Sequence, residues 1–156
     1  MKFIFKEVAT DSEKSFLCAS VIATLPEWFG ISQANQDYIQ NIQNYQVFGV
    51  FDQDNQPIGG LALKYQFKGC AEIWWMGLSP VYHRQGLGQK LFESAKAAAL
   101  GEGCATMVVS TLSARSDDVY YAKTRLFYES LGFSPLLEFN EADPHNPMMW
   151  MILSCA

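Results

Sequence analysis

The sequence predicts an α+β fold: one mixed, mostly antiparallel sheet of about seven strands, with about four helices on its two faces in a three-layer arrangement. Three observations predict it. Strand-like and helix-like patterns succeed each other as β-α-α-β-β-β-α-β-α-β-β, with no internal repeat, linker or low-complexity stretch between them. Of 156 residues, 49% are hydrophobic and 17% are charged, enough for a core and too apolar for a disordered chain. The length suits a single domain over residues 1–156, since domains usually run to about 100–200 residues.

Phe3, Ile4, Phe5 and Val8 make a short first strand. Asp11 or Ser12 can cap the following helix, which carries Phe16, Leu17, Val21 and Ala23 and stops by Pro26. The apolar loop Glu27-Trp28-Phe29-Gly30 leads to Ser32, where a second amphipathic stretch presents Tyr38, Ile39 and Ile42. Val47 to Phe51 and Ile58 to Phe67 form a hairpin about the turn Asp52–Pro57. Gly69 returns the chain into Glu72–Leu78, and short turns between three successive strands favour antiparallel pairing. Gly86-Leu87-Gly88 opens a helix with Leu87, Leu91, Ala95 and Ala98 at helical spacing, ended by Gly101 and Gly103. Thr106 to Leu112 is a strand, and Asp117 or Asp118 caps a helix through Leu131 that Gly132 ends. Phe133–Phe139 and Met148–Leu153 are the last two strands.

Acidic residues outnumber basic ones 16 to 11, a net charge of −5. The chain lacks the basic footprint that phosphate-backbone binding demands, so no nucleic acid is expected as partner. No apolar run reaches the ~18 residues of a membrane span, and Met-Lys-Phe-Ile-Phe-Lys-Glu meets charge too early for a signal-peptide core. A cytoplasmic protein without a membrane partner is the expectation. Cys18, Cys70, Cys104 and Cys155 are widely spaced, with none of the close pairs that preset a metal tetrahedron, so no metal is expected and they read as small core hydrophobes.

Two segments can carry chemistry. Leu78 to Gln89 is a strand, a tight glycine-bearing loop and a helix start. Such a start offers free N–H groups and a positive dipole end to a phosphate. Gly86 and Gly88 permit close backbone approach, and Arg84 supplies a planar charged donor. An ordinary loop whose glycines serve packing would read the same way. The Gly-Lys-Ser/Thr of a P-loop is absent, and Leu91 stands where a dinucleotide fingerprint needs its third glycine. The second segment is Thr124 to Phe133, which by itself reads as an amphipathic helix with a glycine cap and Phe133 folded back on its last turn.

Taken in order, His83-Arg84-Gln85-Gly86-Leu87-Gly88 after a strand, then helix, strand and Leu126-Phe127-Tyr128-Glu129-Ser130-Leu131-Gly132-Phe133, the chain resembles the GNAT N-acetyltransferase superfamily. The resemblance spans nearly the whole chain and is most specific from Glu72 to Phe133. That family's loop reads Gln/Arg-x-x-Gly-x-Gly/Ala, which maps onto His83, Gly86 and Gly88, with histidine at the first place. The resemblance implies the GNAT fold and acetyl-CoA as cosubstrate, its pyrophosphate on Arg84, Gln85, Gly86, Leu87, Gly88 and Gln89. It implies a further contact at Tyr121, where the family often carries asparagine.

Acetyl transfer to an amine needs a base for the ammonium proton, donors for the thioester oxygen and an acid for the leaving sulfur. Glu72 is the candidate base: it lies among apolar neighbours on the strand leading into the phosphate loop, five residues before Gly77, where several members of that family carry their base four residues before the Ala/Gly of this strand. A strand-edge carboxylate in solvent is the plainer reading. Tyr128 is the candidate acid, and backbone N–H groups at Met76, Gly77 and Leu78 are candidates for the carbonyl oxygen. Trp28, Phe29 and Trp74, with Trp150 as a further candidate, would wall the acceptor pocket, although most aromatic residues in such a chain are core. Asp117, Asp118 and Asp143 read as caps and loop charges. The expectation is an N-acetyltransferase acting on a primary amine of a small molecule through a direct ternary complex. A non-catalytic acyl-CoA-binding module on the same fold is the alternative, and a homodimer is left open.

Overall fold

The computed structural model describes residues 2–155. The elements are β1 (Ile4–Val8), α1 (Asp11–Ile22), α2 (Ser32–Asn41), β2 (Gln46–Phe51), β3 (Pro57–Phe67), β4 (Cys70–Leu78), α3 (Leu87–Gly101), β5 (Thr106–Leu112), α4 (Val119–Ser130), β6 (Ser134–Phe139) and β7 (Met148–Ser154). Short 3₁₀ turns lie at Ile42–Asn44 and Pro80–Tyr82. The strands form one sheet in the order β1-β2-β3-β4-β5-β7-β6. β4 and β5 are parallel, while β1/β2, β2/β3, β5/β7 and β6/β7 are antiparallel. The parallel pair β4 and β5 is joined through α3, the kind of helical crossover that a parallel connection needs.

Local chemistry explains most boundaries and corrects one expected cap. Thr10, rather than Asp11 or Ser12, caps α1: its hydroxyl accepts from the Glu13 N–H and donates to the Glu13 carboxylate. Asp11 is the first helical residue instead, where its charge favours the positive helix end. α1 ends at Ile22, four residues before Pro26, and α2 starts after Ile31 without a side-chain cap bond. Asp118 is the cap of α4, accepting from the N–H groups of Tyr120 (2.8 Å) and Tyr121 (3.0 Å). Gly132 at φ +103° closes α4, with Phe133 N–H bonded to Tyr128 O and Gly132 N–H to Glu129 O, a Schellman pattern.

The chain groups into two compact units, Met1–Lys64 with Trp74–Ala98, and Tyr65–Ile73 with Ala99–Ala156. In the first, glycines let α1 lie close on the sheet. A Cβ on Gly49 would sit 2.6 Å from Leu17 Cδ1, and one on Gly77 2.9 Å from Val21 Cγ1. Val47, Ala62, Trp75 and Phe51 face α1 in the same core, built round Leu17, Cys18, Val21, Ile22 and Leu25. Phe48, on the other face of β2, lines a cleft of about 210 Å³ with Leu91 of α3, so helices cover both faces here. That cleft contains none of the sequence-predicted site residues. In the second unit Met107, Val109 and Met151 are buried between strands β5 and β7. Cys18, Cys104 and Cys155 are buried and Cys70 is half-buried, and none of the four is in a disulfide.

Candidate active site

In the first unit the site begins where β4 ends. Pro80–Tyr82 makes one 3₁₀ turn, and His83 then anchors the loop, its Nε2 lying 2.6 Å from the Leu78 carbonyl oxygen. A carbonyl only accepts, so this ring nitrogen carries the hydrogen and donates. The His83 ring also meets Trp28 edge-on at 6.0 Å. Arg84 is exposed and takes φ +64°, unusual for a residue with a Cβ, and Gly86 takes φ +78°. A Cβ on Gly86 would meet nothing within 4 Å, so this glycine serves conformation and an open approach, not packing. The first bond of α3 runs from Lys90 N–H to Gly86 O, which leaves the N–H groups of Leu87, Gly88 and Gln89 ahead of any intrahelical partner. The chain thus presents backbone donors, a helix dipole and one guanidinium in a single short segment, a set that fits a phosphate-bearing group.

The aromatic candidates Trp28, Phe29 and Trp74 all pack, half-buried, on the α1 core. Tyr38 of α2 links Phe29 and Trp74, meeting them at 5.9 Å and 5.3 Å, both edge-on. Tyr45 lies on Trp74 at 4.5 Å. Trp75 also belongs to this side, 6.4 Å from Phe29. Burial alternates along this stretch of β4, Trp74 half-buried and Trp75 buried, and both pack on this core. Tyr38, Tyr45 and Trp75 were not singled out from the sequence. Only Tyr38 had a signal, its place on the apolar side of α2.

In the second unit Glu72 is 7% exposed, which removes the reading of a solvent-facing strand-edge carboxylate. Its Oε1 accepts a short hydrogen bond from Gln66 Nε2 of β3, a partner the sequence did not signal. Tyr128 is also 7% exposed. Its ring is fixed by Phe127 at 5.7 Å and Phe133 at 5.8 Å, and its carbonyl by the cap of α4. Arg125 Nη1 ties α4 to the end of β5 through the Leu112 carbonyl (2.8 Å). Tyr121 is half-buried in the first turn of α4, held through its N–H by Asp118. Trp150 stacks on Phe139 at 6.1 Å across β7 and β6. Asp143 accepts from the His145 N–H, a loop role as expected.

Burial pushes the Cys18 thiol up to about 12 and raises that of Cys70, with Cys104 and Glu72 adding to the latter. Neither is poised as a thiolate nucleophile. Among the described residues no cluster of three or more His, Cys, Asp or Glu could hold a metal ion. No helix there is long and apolar enough to cross a membrane.

Comparison with solved structures returns this architecture repeatedly. A structure assigned to the GNAT acetyltransferases from Desulfovibrio desulfuricans superposes with a TM-score of 0.81 at 18% identity, covering 99% of this chain and 100% of the other. An aminoglycoside 6'-N-acetyltransferase complexed with coenzyme A gives 0.75 at 17%, covering 98% and 97%. The ribosomal-protein-S18-alanine N-acetyltransferase from Escherichia coli gives 0.74 at 18%, covering 99% and 95%. No curated protein sequence matches the chain. The acetyltransferase (GNAT) domain profile matches residues 43–135, more than half of the sequence, and the chain belongs to the GNAT acetyltransferase family.

Proposed function

We propose that this chain transfers the acetyl group of acetyl-CoA to a primary amine of a small acceptor, within one ternary complex. The observation that carries the reading is the Arg84–Gln89 segment: left-handed backbone at Arg84 and Gly86, open space at Gly86 and unbonded N–H groups at Leu87, Gly88 and Gln89. The related structure with coenzyme A supports the choice of ligand. When bound, the cosubstrate supplies a thioester whose acetyl carbon is open to attack by an amine.

The residues divide the remaining work. Arg84 and the start of α3 hold the pyrophosphate, with Tyr121 as a further contact. Met76, Gly77 and Leu78 offer backbone N–H groups to the carbonyl oxygen, where negative charge develops. The next N–H, that of Ser79, is already bonded to Ile58 O at 2.8 Å. Glu72, oriented by Gln66, takes the ammonium proton directly or through water, and the Tyr128 hydroxyl gives a proton to the departing sulfur. Trp28, Phe29 and Trp74 face the acceptor. The related enzymes act on acceptors as different as an aminoglycoside and an alanine of a ribosomal protein, so the acceptor must be argued from this chain's own walls. These are aromatic, which favours a small amine with ring or apolar surface.

The test is CoA release over a panel of amines, run with Tyr128→Phe and Glu72→Gln. Tyr128→Phe should keep the fold and CoA affinity and lower turnover on the order of 10²-fold. Glu72→Gln should lose most activity near neutral pH and regain part of it at higher pH, where more amine is free. CoA binding without turnover on any amine class would instead identify a non-catalytic binding module.

A further inference from the structure

Trp75 is 3% exposed, and its indole N–H has no hydrogen-bond partner. Buried donors are nearly always paired, since an orphan has forfeited its hydration for nothing. The orientation of the ring gives the orphan a direction. A Cβ on Gly60 would lie 3.1 Å from Trp75 Cζ3, and one on Gly77 3.2 Å from Cζ2. The indole therefore lies across two bare stretches of sheet. Cζ2 neighbours the ring carbon bonded to Nε1, so the N–H edge is the one turned toward Gly77 and the end of β4. Val21 Cγ1 and Leu25 Cδ1 crowd the same glycine, and neither can accept a hydrogen bond. The half-buried Phe29 ring lies 6.4 Å from the indole, tilted 40° to it, and also meets Tyr38, which in turn meets Trp74.

We propose that Trp75 is a specificity-determining residue whose indole N–H donates to an oxygen of the acceptor once that substrate displaces Phe29. The preferred acceptor is then a primary amine bearing an uncharged oxygen, an amide or a hydroxyl, on an apolar or aromatic body. This rests on Trp28, Phe29 and Trp74 being the acceptor wall. An uncharged oxygen matches a neutral donor. A carboxylate would be desolvated there without a counter-ion, because Lys14, a cation that reaches this group, spends its ammonium on the Tyr45 carbonyl at 2.7 Å.

The experiment follows the four tryptophan indole N–H resonances by ¹⁵N NMR in the full chain with CoA, Trp75 being assigned by its absence in Trp75→Phe. Phenylalanine amide should move the Trp75 resonance, and phenethylamine, which lacks the oxygen, should move Trp28 and Trp74 while leaving Trp75 nearly still. In kinetics, Trp75→Phe should lower the kcat/KM ratio of phenylalanine amide to phenethylamine about 3–10-fold, the worth of one hydrogen bond. The KM for acetyl-CoA should not change. A stationary Trp75 resonance beside moving Trp28 and Trp74, or an unchanged substrate ratio, overturns the proposal and leaves the acceptor wall standing. If none of the three tryptophans moves, the wall itself is wrong and the proposal falls with it. If Trp75→Phe fails to fold, the wild-type response to the two amines decides, with Trp75 assigned from sequential backbone correlations.

Discussion

The phosphate-loop assignment makes its sharpest prediction at Gly86, where stability and ligand affinity separate. At φ +78° an alanine pays the left-handed penalty of about 1–2 kcal/mol. No steric term adds to it, because the new Cβ would meet nothing within 4 Å. In a domain of this size that cost lowers the melting temperature by roughly 2–8 °C. Asparagine, which tolerates left-handed backbone, should recover most of the loss. Arg84 sits at φ +64° with an exposed side chain, so Arg84→Gly relieves strain without removing packing and should hold or raise the melting temperature. CoA affinity should fall in both variants for different reasons: Gly86→Ala shifts the backbone donors, and Arg84→Gly removes a charge. Gly86→Val, with a branched side chain in the approach, should bind CoA worst of all. Thermal melts paired with calorimetric CoA titration read both quantities. Gly86→Ala with an unchanged melting temperature and an unchanged CoA Kd would refute the left-handed loop and the anion site together.

Other glycines answer to packing. Gly60→Ala drives a methyl against Leu17 and to 3.1 Å from the Trp75 ring, so it should cost about 1–3 kcal/mol in urea unfolding. Gly101→Ala, at the end of α3 with open space around it, should gain up to about 1 kcal/mol in the same assay. Cys18 predicts an alkaline effect. Its folded pKa of about 12 exceeds the ordinary 9.0, so the folded state keeps a proton that the unfolded state releases. The resulting stabilisation is present below pH 9 and declines as pH rises toward 12. Urea midpoints measured upward from pH 8 should fall less steeply in Cys18→Ala than in the parent, and equal slopes would assign the decline to other groups.

What was legible in the sequence was local or periodic. β5 begins and ends where its apolar run does, Asp118 caps where a cap was needed, and Gly132 ends α4 with Phe133 folded onto Tyr128. These depend on residues a few places apart, which is the range over which capping and turn chemistry act. Even there, Thr10 took the cap from Asp11 and Ser12, because its hydroxyl accepts from the Glu13 N–H and donates to the Glu13 carboxylate. Strict alternation put Glu72 and Trp74 on one face of β4 and Trp75 on the other. It had no means of seeing that Trp74 and Trp75 would both be taken up by the α1 side. That outcome depends on Gly60 and Gly77 leaving bare sheet for the indole, two glycines 17 residues apart on different strands. Glu72 shows the same limit across a hairpin: nothing in its neighbourhood announces that Gln66 would bond it while both flanking strands bury it. The loop proposed to hold phosphate draws on consecutive backbone groups, the local range that sequence reading covers. The residues proposed to wall the acceptor were only half readable, because they come from α2, two loops and β4. Specificity within such a family is written in that second kind of contact, where a single unpaired donor such as the Trp75 N–H carries information that no motif does.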